Sequence, residues 1–276
     1  MSAHHRFLQK YGPWAVVTGA SDGIGRAMAR WLAEAGLHVV LVARRRGRLE
    51  EDAARYQAEH RVQTRIIAAD LATLGGVEQV EAETAGLEVG LLVAAAGYGT
   101  SGSFLDAEPS VELDMLDVNC RATLLLAQHF GQRFARQGRG GLVLMGSLVG
   151  FQGVAKAAHY AATKAYVQTL AEGLHLELAP FGVDVLASAP GPIRSGFAAR
   201  ANMQMGLSQG PEVVAAATLR ALGRQMTVRP GWVSKLLEAA LTLPRPWRAR
   251  IMKLVMGGMT QHQALGPGSG GPASRT

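Results

Sequence analysis

An apolar run, Trp14-Ala-Val-Val-Thr18, passes without a break into Gly19-Ala-Ser-Asp-Gly-Ile-Gly25, and helical apolar spacing starts inside that glycine run and lasts to Ala35. A buried strand that turns directly into a helix through three glycines leaves few folds open. Glycines at 19, 23 and 25 permit a tight turn and a close backbone approach to whatever is held against it. The helix N-terminus behind them offers free N–H groups and the positive end of a dipole, which suits a phosphate. A merely structural turn is the competing reading. The position between strand and helix is the context that phosphate binding requires.

The same alternation continues along the chain. Apolar runs at His38–Ala43, Gln63–Ala68, Leu91–Ala95, Gly141–Met145 and Val183–Ala187 read as five further strands. Helical spacing covers Ile24–Ala35, stopped by Gly36, then Leu49–His60 and a long stretch at Ala157–Ala179. Six successive β-α units predict an α/β fold, a Rossmann-type doubly wound parallel sheet, because right-handed crossovers put helices on both faces. A chain of 276 residues, 48% of them hydrophobic, suits a single such domain. We expect it to span residues 1–230, with a helical C-terminal extension at 231–265 and a tail at 266–276 whose Gly/Ser/Pro composition predicts disorder.

Several classes are disfavoured. One cysteine, Cys120, permits no internal disulfide and argues against a Cys-based zinc site; it reads as a small buried residue. The histidines show no metal spacing, so no metal is expected, and His4 and His5 read as part of a frayed polar terminus. No secretory signal and no membrane-spanning run is seen, which predicts a cytoplasmic protein. The net charge of +7 sits in residues 201–276, which hold nine Lys/Arg and two acids. No aromatic-interleaved basic stripe accompanies it, so no nucleic-acid partner is expected.

In a sheet of this kind the end of the second strand meets the adenosine ribose of a dinucleotide. Here Ala43 is followed by Arg44, Arg45 and Arg46. No carboxylate stands there to repel a 2′-phosphate, and a guanidinium pairs with one bidentately, which favours NADP. At least one of the three arginines reads as a solvated turn residue. Asp70 and Leu71 follow the third strand, placed either to contact adenine or to cap the helix from Thr73 onward.

Tyr160-Ala-Ala-Thr-Lys164 lies in the long helical stretch, with its two polar side chains on one face. An ammonium about 4 Å from a phenolate stabilises it by up to about 4 kcal/mol at an effective dielectric near 20, or roughly 3 pK units. A phenol so placed exchanges a proton with a carbonyl or alcohol oxygen near neutral pH. The pair alone is a common coincidence. Ser147, however, follows the fifth strand on the same carboxyl side of the sheet as the glycine loop, where its hydroxyl can polarise a substrate oxygen.

Taken in order, Thr18–Gly25, Asp70, Asn119, Ser147, Tyr160, Lys164 and Pro190-Gly-Pro-Ile-Arg-Ser195 resemble the short-chain dehydrogenase/reductase family over about residues 12–200, nearest in wording to its acyl and steroid carbonyl reductases. The resemblance implies that Tyr160 is the general acid/base and that Lys164 tunes it and binds the nicotinamide ribose. It also implies that Ser147 orients the carbonyl and Asn119 helps hold a water in the proton relay. Gly19, Ser21, Asp22, Gly23, Ile24, Gly25, Arg44, Asp70, Leu71 and Gly97 would then line the cofactor site, with Tyr160, Lys164, Pro190, Gly191, Ile193 and Ser195. One departure stands out. The family usually carries Asn-Asn-Ala-Gly after the fourth strand, whereas this chain has Ala94-Ala95-Ala96-Gly97. The missing amides should affect local stability more than chemistry.

His159 is adjacent to Tyr160, but neighbours on a helix project about 100° apart, so it should not reach the same oxygen. Phe197, Met203, Met205 and Leu207 fall in the segment that would cover a substrate and suggest an apolar wall, although ordinary helix packing explains them as well. The expected substrate is a small-molecule ketone, aldehyde or secondary alcohol with a mainly apolar body. A non-catalytic nucleotide-sensing or scaffold protein on the same fold is the alternative. Small residues along the long helix, with Leu170, Leu174 and Leu178, predict a homo-oligomer, dimer or tetramer. Residues 232–259 combine Trp, Leu, Met and Ile with five basic residues, split by Pro244 and Pro246 into two short helices, the second over Trp247–Met256 with Ile251, Leu254 and Val255 at helical spacing. They either cap the substrate pocket or pack in the oligomer, or they lie on an anionic membrane surface as a peripheral contact.

Overall fold

The computed structural model describes residues 3–194, 196–204, 208–231, 244–260 and 263. Seven strands form one parallel sheet in the order β3-β2-β1-β4-β5-β6-β7. Their ranges are β1 Trp14–Thr18, β2 His38–Ala43, β3 Thr64–Ala68, β4 Val89–Ala94, β5 Gly140–Met145, β6 Val183–Ser188 and β7 Thr227–Val228. The first six match the strands read from the sequence to within two residues at each end. The seventh, two residues long, is too short to carry a periodicity; it exists through backbone hydrogen bonds from Ala187 to Met226 and from Ala189 to Val228.

Helices cover both faces. On one lie α2 (Gly23–Glu34), α3 (Arg46–His60) and α9 (Pro211–Ala221), whose Met28, Leu32, Leu49, Tyr56 and Leu219 share a core with Val17, Val39 and Leu41 of the sheet. On the other lie α4 (Leu74–Thr84), α6 (Ala122–Gln137) and α7 (Ala158–Leu178), packed through Val80, Phe130, Phe134 and Val167. Before α6 come α5 (Pro109–Leu116) and a π-turn over Asp117–Arg121. After β6, α8 covers Phe197–Arg200, and α10 covers Arg245–Met259.

Asp22 caps α2, its carboxylate accepting the Gly23 N–H at 2.7 Å, and Gly36 at φ +90° follows the helix end. Asp52 of α3, almost fully buried, accepts from Arg26 through both oxygens, at 2.7 and 2.8 Å, and from Arg55. That pairing is the condition for burying a carboxylate at all. It locks α3 to α2, the helix that starts at the glycine loop.

Two expectations change. The N-terminus is not frayed: residues Ala3–Tyr11 form α1. Phe7 stacks near Tyr11 and Trp31 at ring separations of 4.7 and 5.2 Å, and the Tyr11 hydroxyl donates to Asp184 of β6. These anchors are distant in sequence, so local pattern does not reveal them. Pro246 does not precede the last helix but sits in its first turn, where a missing N–H costs nothing, with Pro244 as N-cap. The expected helix before Pro244 and the tail at 266–276 lie outside the described residues.

Candidate active site

The carboxyl ends of β1, β4, β5 and β6 open on a crevice of about 590 Å³, at the point where strand order reverses between β1 and β4. This is where an open α/β sheet holds its ligand. Arg44, Arg45, Asp70 and Leu71 line one end, the loop Gly19–Gly25 faces Ala95–Gly97 in the middle, and Ser147, Tyr160, Lys164, Pro190, Gly191 and Ile193 line the other end. All of the sequence-derived site residues therefore lie on this wall except two. Ser195 is outside the described residues, and Asn119 stands one layer behind.

The glycines are required by backbone contact. A Cβ on Gly25 would lie 2.4 Å from the Gly19 carbonyl oxygen, and one on Gly19, at φ +67°, would lie 2.8 Å from that of Ala95. The first turn of α2 thus stands directly over the end of β1, its N–H groups facing the crevice floor. Thr18 supplies the tie that the Ala94-Ala95 pair lacks: its hydroxyl accepts the Ala96 N–H at 3.0 Å. The family-like amides are absent, yet the two loops are still joined.

At the adenosine end, Arg44 lies 3.8 Å from Asp70, a loose and half-exposed ion pair. Arg45, which the sequence reading left undistinguished within its triplet, also faces the crevice and donates to Ser21 at 3.2 Å. Arg46 turns to Glu50 on α3 and is the solvated member. Asp70 is not the cap of α4; Thr73 is, and the Asp70 carboxylate instead accepts the Ala72 N–H.

At the other end, α7 carries Tyr160 and Lys164, both buried. Burial pushes the Tyr160 phenol up to about 12, with a hydrogen bond to Ser147 pulling the other way. Burial lowers the Lys164 ammonium to about 8. The Lys164 Nζ donates to the Met145 carbonyl at 2.8 Å and lies 5.9 Å from the centroid of the Tyr160 ring. The sequence argument put these charges about 4 Å apart and expected a lowered phenol. Here burial raises the phenol, and the ammonium is committed to the Met145 carbonyl at the end of β5.

Asn119 sits in the π-turn, an insertion often associated with functional sites. Its amide donates to the Tyr98 carbonyl at 2.8 Å and to the Thr163 hydroxyl at 3.0 Å, and its oxygen accepts the Tyr98 N–H at 3.1 Å. Asn119 therefore clamps the segment after β4 to the helix bearing Tyr160. His159 turns away to Glu112, 2.6 Å from its carboxylate. Cys120 is buried, as expected, and among the described residues no cluster of metal-ligating side chains occurs.

Beyond Tyr160 the wall is apolar. Phe197 stacks 5.4 Å from the Tyr160 ring, and Met203 follows it; Met205 and Leu207 lie outside the described residues. One helix face closes this end: Arg248, Ile251, Met252, Val255, Met256 and Met259 of α10 all line the crevice. Of the residues anticipated there, Ile251 and Val255 face inward, whereas Leu254 is 78% exposed. The 3.6-residue spacing of the inward set was present in the sequence, but not which side would face the sheet.

These residues fit a nicotinamide dinucleotide. The crevice is long, glycine-floored beneath a helix N-terminus, basic at one end and closed by a buried phenol and ammonium at the other. Residues 13–206 match the family model for the short chain dehydrogenase. The chain is 35% identical to the 7beta-hydroxysteroid dehydrogenase of Clostridium sardiniense over 185 residues, covering 67% of this chain and 71% of that one. It is 33% identical over 237 residues to a very-long-chain 3-oxoacyl-CoA reductase-like protein of Arabidopsis thaliana, covering 83% and 76%. Among solved structures, a short-chain dehydrogenase from Sphingobium yanoikuyae in complex with NADPH superposes with a TM-score of 0.75 at 30% identity, covering 84% of this chain and 94% of that one.

The chain belongs to the short-chain dehydrogenase family. It is an oxidoreductase that moves hydride between a nicotinamide cofactor and a carbonyl or alcohol.

The glycine loop gives a direct test. Gly25→Val should force α2 away from β1, since the obstruction is backbone and cannot rotate aside. Overpacking of this kind costs about 1–3 kcal/mol, so thermal unfolding should shift down by several degrees. Fluorescence titration should show nicotinamide dinucleotide affinity reduced more than about tenfold. Unchanged affinity would mean that the loop does not hold the pyrophosphate.

Proposed function

We propose that the chain is an NADP(H)-dependent reductase of ketones or aldehydes with a mainly apolar body, running in reverse as a secondary-alcohol dehydrogenase. The observation that carries this is the pairing of the Ser147 and Tyr160 hydroxyls where the dinucleotide crevice meets a wall of methionine and phenylalanine. Two relatives whose names carry a hydroxysteroid and a very-long-chain 3-oxoacyl substrate agree with an apolar body.

A nicotinamide bound in the crevice supplies the hydride. Tyr160, protonated at neutral pH because it is buried, gives its proton to the carbonyl oxygen as charge develops there. Ser147 donates a hydrogen bond to the same oxygen and fixes its position. Lys164 holds the ribose hydroxyls, and its charge favours the phenolate left behind. Asn119 is a positioning residue that keeps the Tyr98 backbone and α7 in register, with one oxygen lone pair left for a relay water. Ser195 would stand beside the nicotinamide carboxamide, with backbone contacts from Ile193.

Arg44 and Arg45 together support NADP over NAD. Both flank the adenosine end, and Arg44 has only a loose, half-exposed partner to give up for a 2′-phosphate. The apolar side chains exposed on adjoining helices, Leu113 and Leu116 of α5, Leu124 of α6 and Tyr166 of α7, support a homo-oligomer. Leu170, Leu174 and Leu178 do not contribute to that surface, since they pack on the core. Residues 1–230 would be the catalytic domain, with 231–265 a helical C-terminal extension and 266–276 a disordered tail.

No helix among the described residues is long and apolar enough to cross a membrane. A cytoplasmic enzyme with peripheral membrane contact through 232–259 is supported by the outer face of α10. There Trp247 is 60% exposed and Leu254 78%, among exposed Arg250 and Lys253. Each basic residue near an anionic surface contributes about 1 kcal/mol.

Four outcomes follow. Tyr160→Phe should lower carbonyl reduction by at least about 10³-fold with cofactor affinity nearly unchanged. In the wild type, reduction needs the phenol, which stays protonated through the neutral range, so its rate should be flat up to about pH 8 and fall above it as the Lys164 ammonium discharges; alcohol oxidation needs the phenolate and should rise with pH from about 6 to about 8. More than a tenth of the wild-type kcat in Tyr160→Phe would sink the mechanism. Arg44→Asp should shift the NADPH/NADH ratio of kcat/KM toward NADH by on the order of 10², the loss of a charge-assisted pair of about 3 kcal/mol. A wild type that uses NADH equally well overturns the cofactor assignment. The protein should co-sediment with anionic liposomes at low salt and be released as salt rises; protein left in the supernatant at low salt rules out membrane contact.

A further inference from the structure

Among the described side chains of α10, Arg248 is the one cation that lines the crevice. Its Nε is buried with no hydrogen-bond partner, and no ion pair of this side chain is found among the described residues. A guanidinium N–H removed from water without an acceptor is costly, which is tolerated where a ligand supplies one. The other arginine on the same wall, Arg200, is already engaged: it lies 3.6 Å from the Tyr98 ring centroid and 4.0 Å from Asp114. Arg250 and Lys253 are on the exposed side and do not line the crevice. Among the described residues, the substrate end therefore presents one uncommitted positive charge, Arg248, within an apolar wall.

Its place along the helix sets the geometry. Met252 and Met256 belong to the cluster packed around Tyr160. Arg248 precedes them by one and two turns, so it stands about 6–12 Å of helix rise from that cluster. The same helix face thus carries methionines beside the reacting group and a guanidinium farther out.

We propose that Arg248 binds a carboxylate carried by the substrate at the end remote from its carbonyl, making the preferred substrate an apolar keto acid. One guanidinium, presenting Nε–H and an Nη–H as a fork, matches one carboxylate bidentately. A polyphosphate or nucleotide tail would call for a cluster of cations, whereas Arg250 and Lys253 of α10 are exposed and do not line the crevice. This inference rests on the reductase reading and names its substrate class.

The test uses the full chain loaded with NADP⁺ and two probes, a mid-chain keto fatty acid and its methyl ester, both below their micelle concentrations. Calorimetry should show the acid binding at least about tenfold tighter than the ester, with only the acid weakened by salt. In Arg248→Gln the acid/ester affinity ratio should fall to near one, and Arg248→Lys should restore part of it, because charge returns without the fork. With NADPH, the acid/ester ratio of kcat/KM should fall in the same way, through KM rather than kcat. A ratio near one in the wild type, a ratio unchanged in Arg248→Gln, or no binding of either probe overturns the proposal. If the acid binds preferentially through Arg248 but neither ketone is reduced, the carboxylate site stands and the reductase reading fails.

Discussion

The helix that starts the nucleotide site can stand over β1 only because Gly25 has no side chain. A single methyl there would sit 2.4 Å from a backbone oxygen, closer than any real contact. With that space empty, the N-terminus of α2 points at the crevice floor, and Gly19 carries the chain through φ +67° against the backbone of Ala95 and Ala96. The constraint then propagates. Thr18 binds Ala96, and the chain continues through Gly97 to Tyr98, which Asn119 grips from both sides while bonding Thr163 of α7. Gly97 is also bare for a reason: a Cβ would lie 2.8 Å from the Asn119 amide oxygen and 3.4 Å from the Lys164 ammonium. A continuous set of backbone contacts and hydrogen bonds thus connects the phosphate loop to the helix that bears Tyr160. Mutations at either end should be felt at the other, since packed backbone has little room to absorb strain.

What the sequence disclosed was local. Strand–glycine–helix succession, the i, i+4 pairing of Tyr160 and Lys164, and the position of Ser147 after a strand are all short-range patterns, and each fell on the predicted side of the sheet. What it hid was long-range or set by burial. The π-turn at Asp117–Arg121 has no sequence period of its own, and α1 is held by partners as distant as Asp184. Thr18 compensates for Ala94-Ala95 through a hydrogen bond between strands, which no spacing rule reports. The raised phenol was hidden for the same reason. Spacing gives the face on which two side chains lie; it gives neither the 5.9 Å between ammonium and ring nor the desolvation that dominates both groups.

That desolvation bears on the direction of the chemistry. A proton donor to a carbonyl must still hold its proton when substrate arrives, and a phenol held near 12 does so throughout the neutral range. Lys164 is placed to act at a later moment. It is buried, anchored by the Met145 carbonyl and easier to discharge than a solvated lysine, so its positive charge is costly until an anion appears beside it. A phenolate formed by proton transfer is such an anion. Burial therefore keeps Tyr160 protonated before the reaction and makes the ammonium's field strong, at low dielectric, once the proton has left.

The same division between a rigid and an adaptable side runs through the substrate end. Ser147 directly follows β5, and Tyr160 and Lys164 sit on α7; both elements are tied into the sheet and its cores. The opposite wall is methionine-rich and borne by α10, a helix reached only after the sheet is complete. Methionine, unbranched and polarizable, follows the shape of an apolar body without selecting it closely. Such a wall discriminates poorly among apolar substrates, because each methylene is worth only about 1–3 kcal/mol. Selectivity must then come from a polar group whose partner is either present or absent, and on this wall Arg248 is the side chain with a buried donor still unpaired. The rigid face fixes where the carbonyl must be, and the helix that closes over it supplies the means of telling one apolar carbonyl from another.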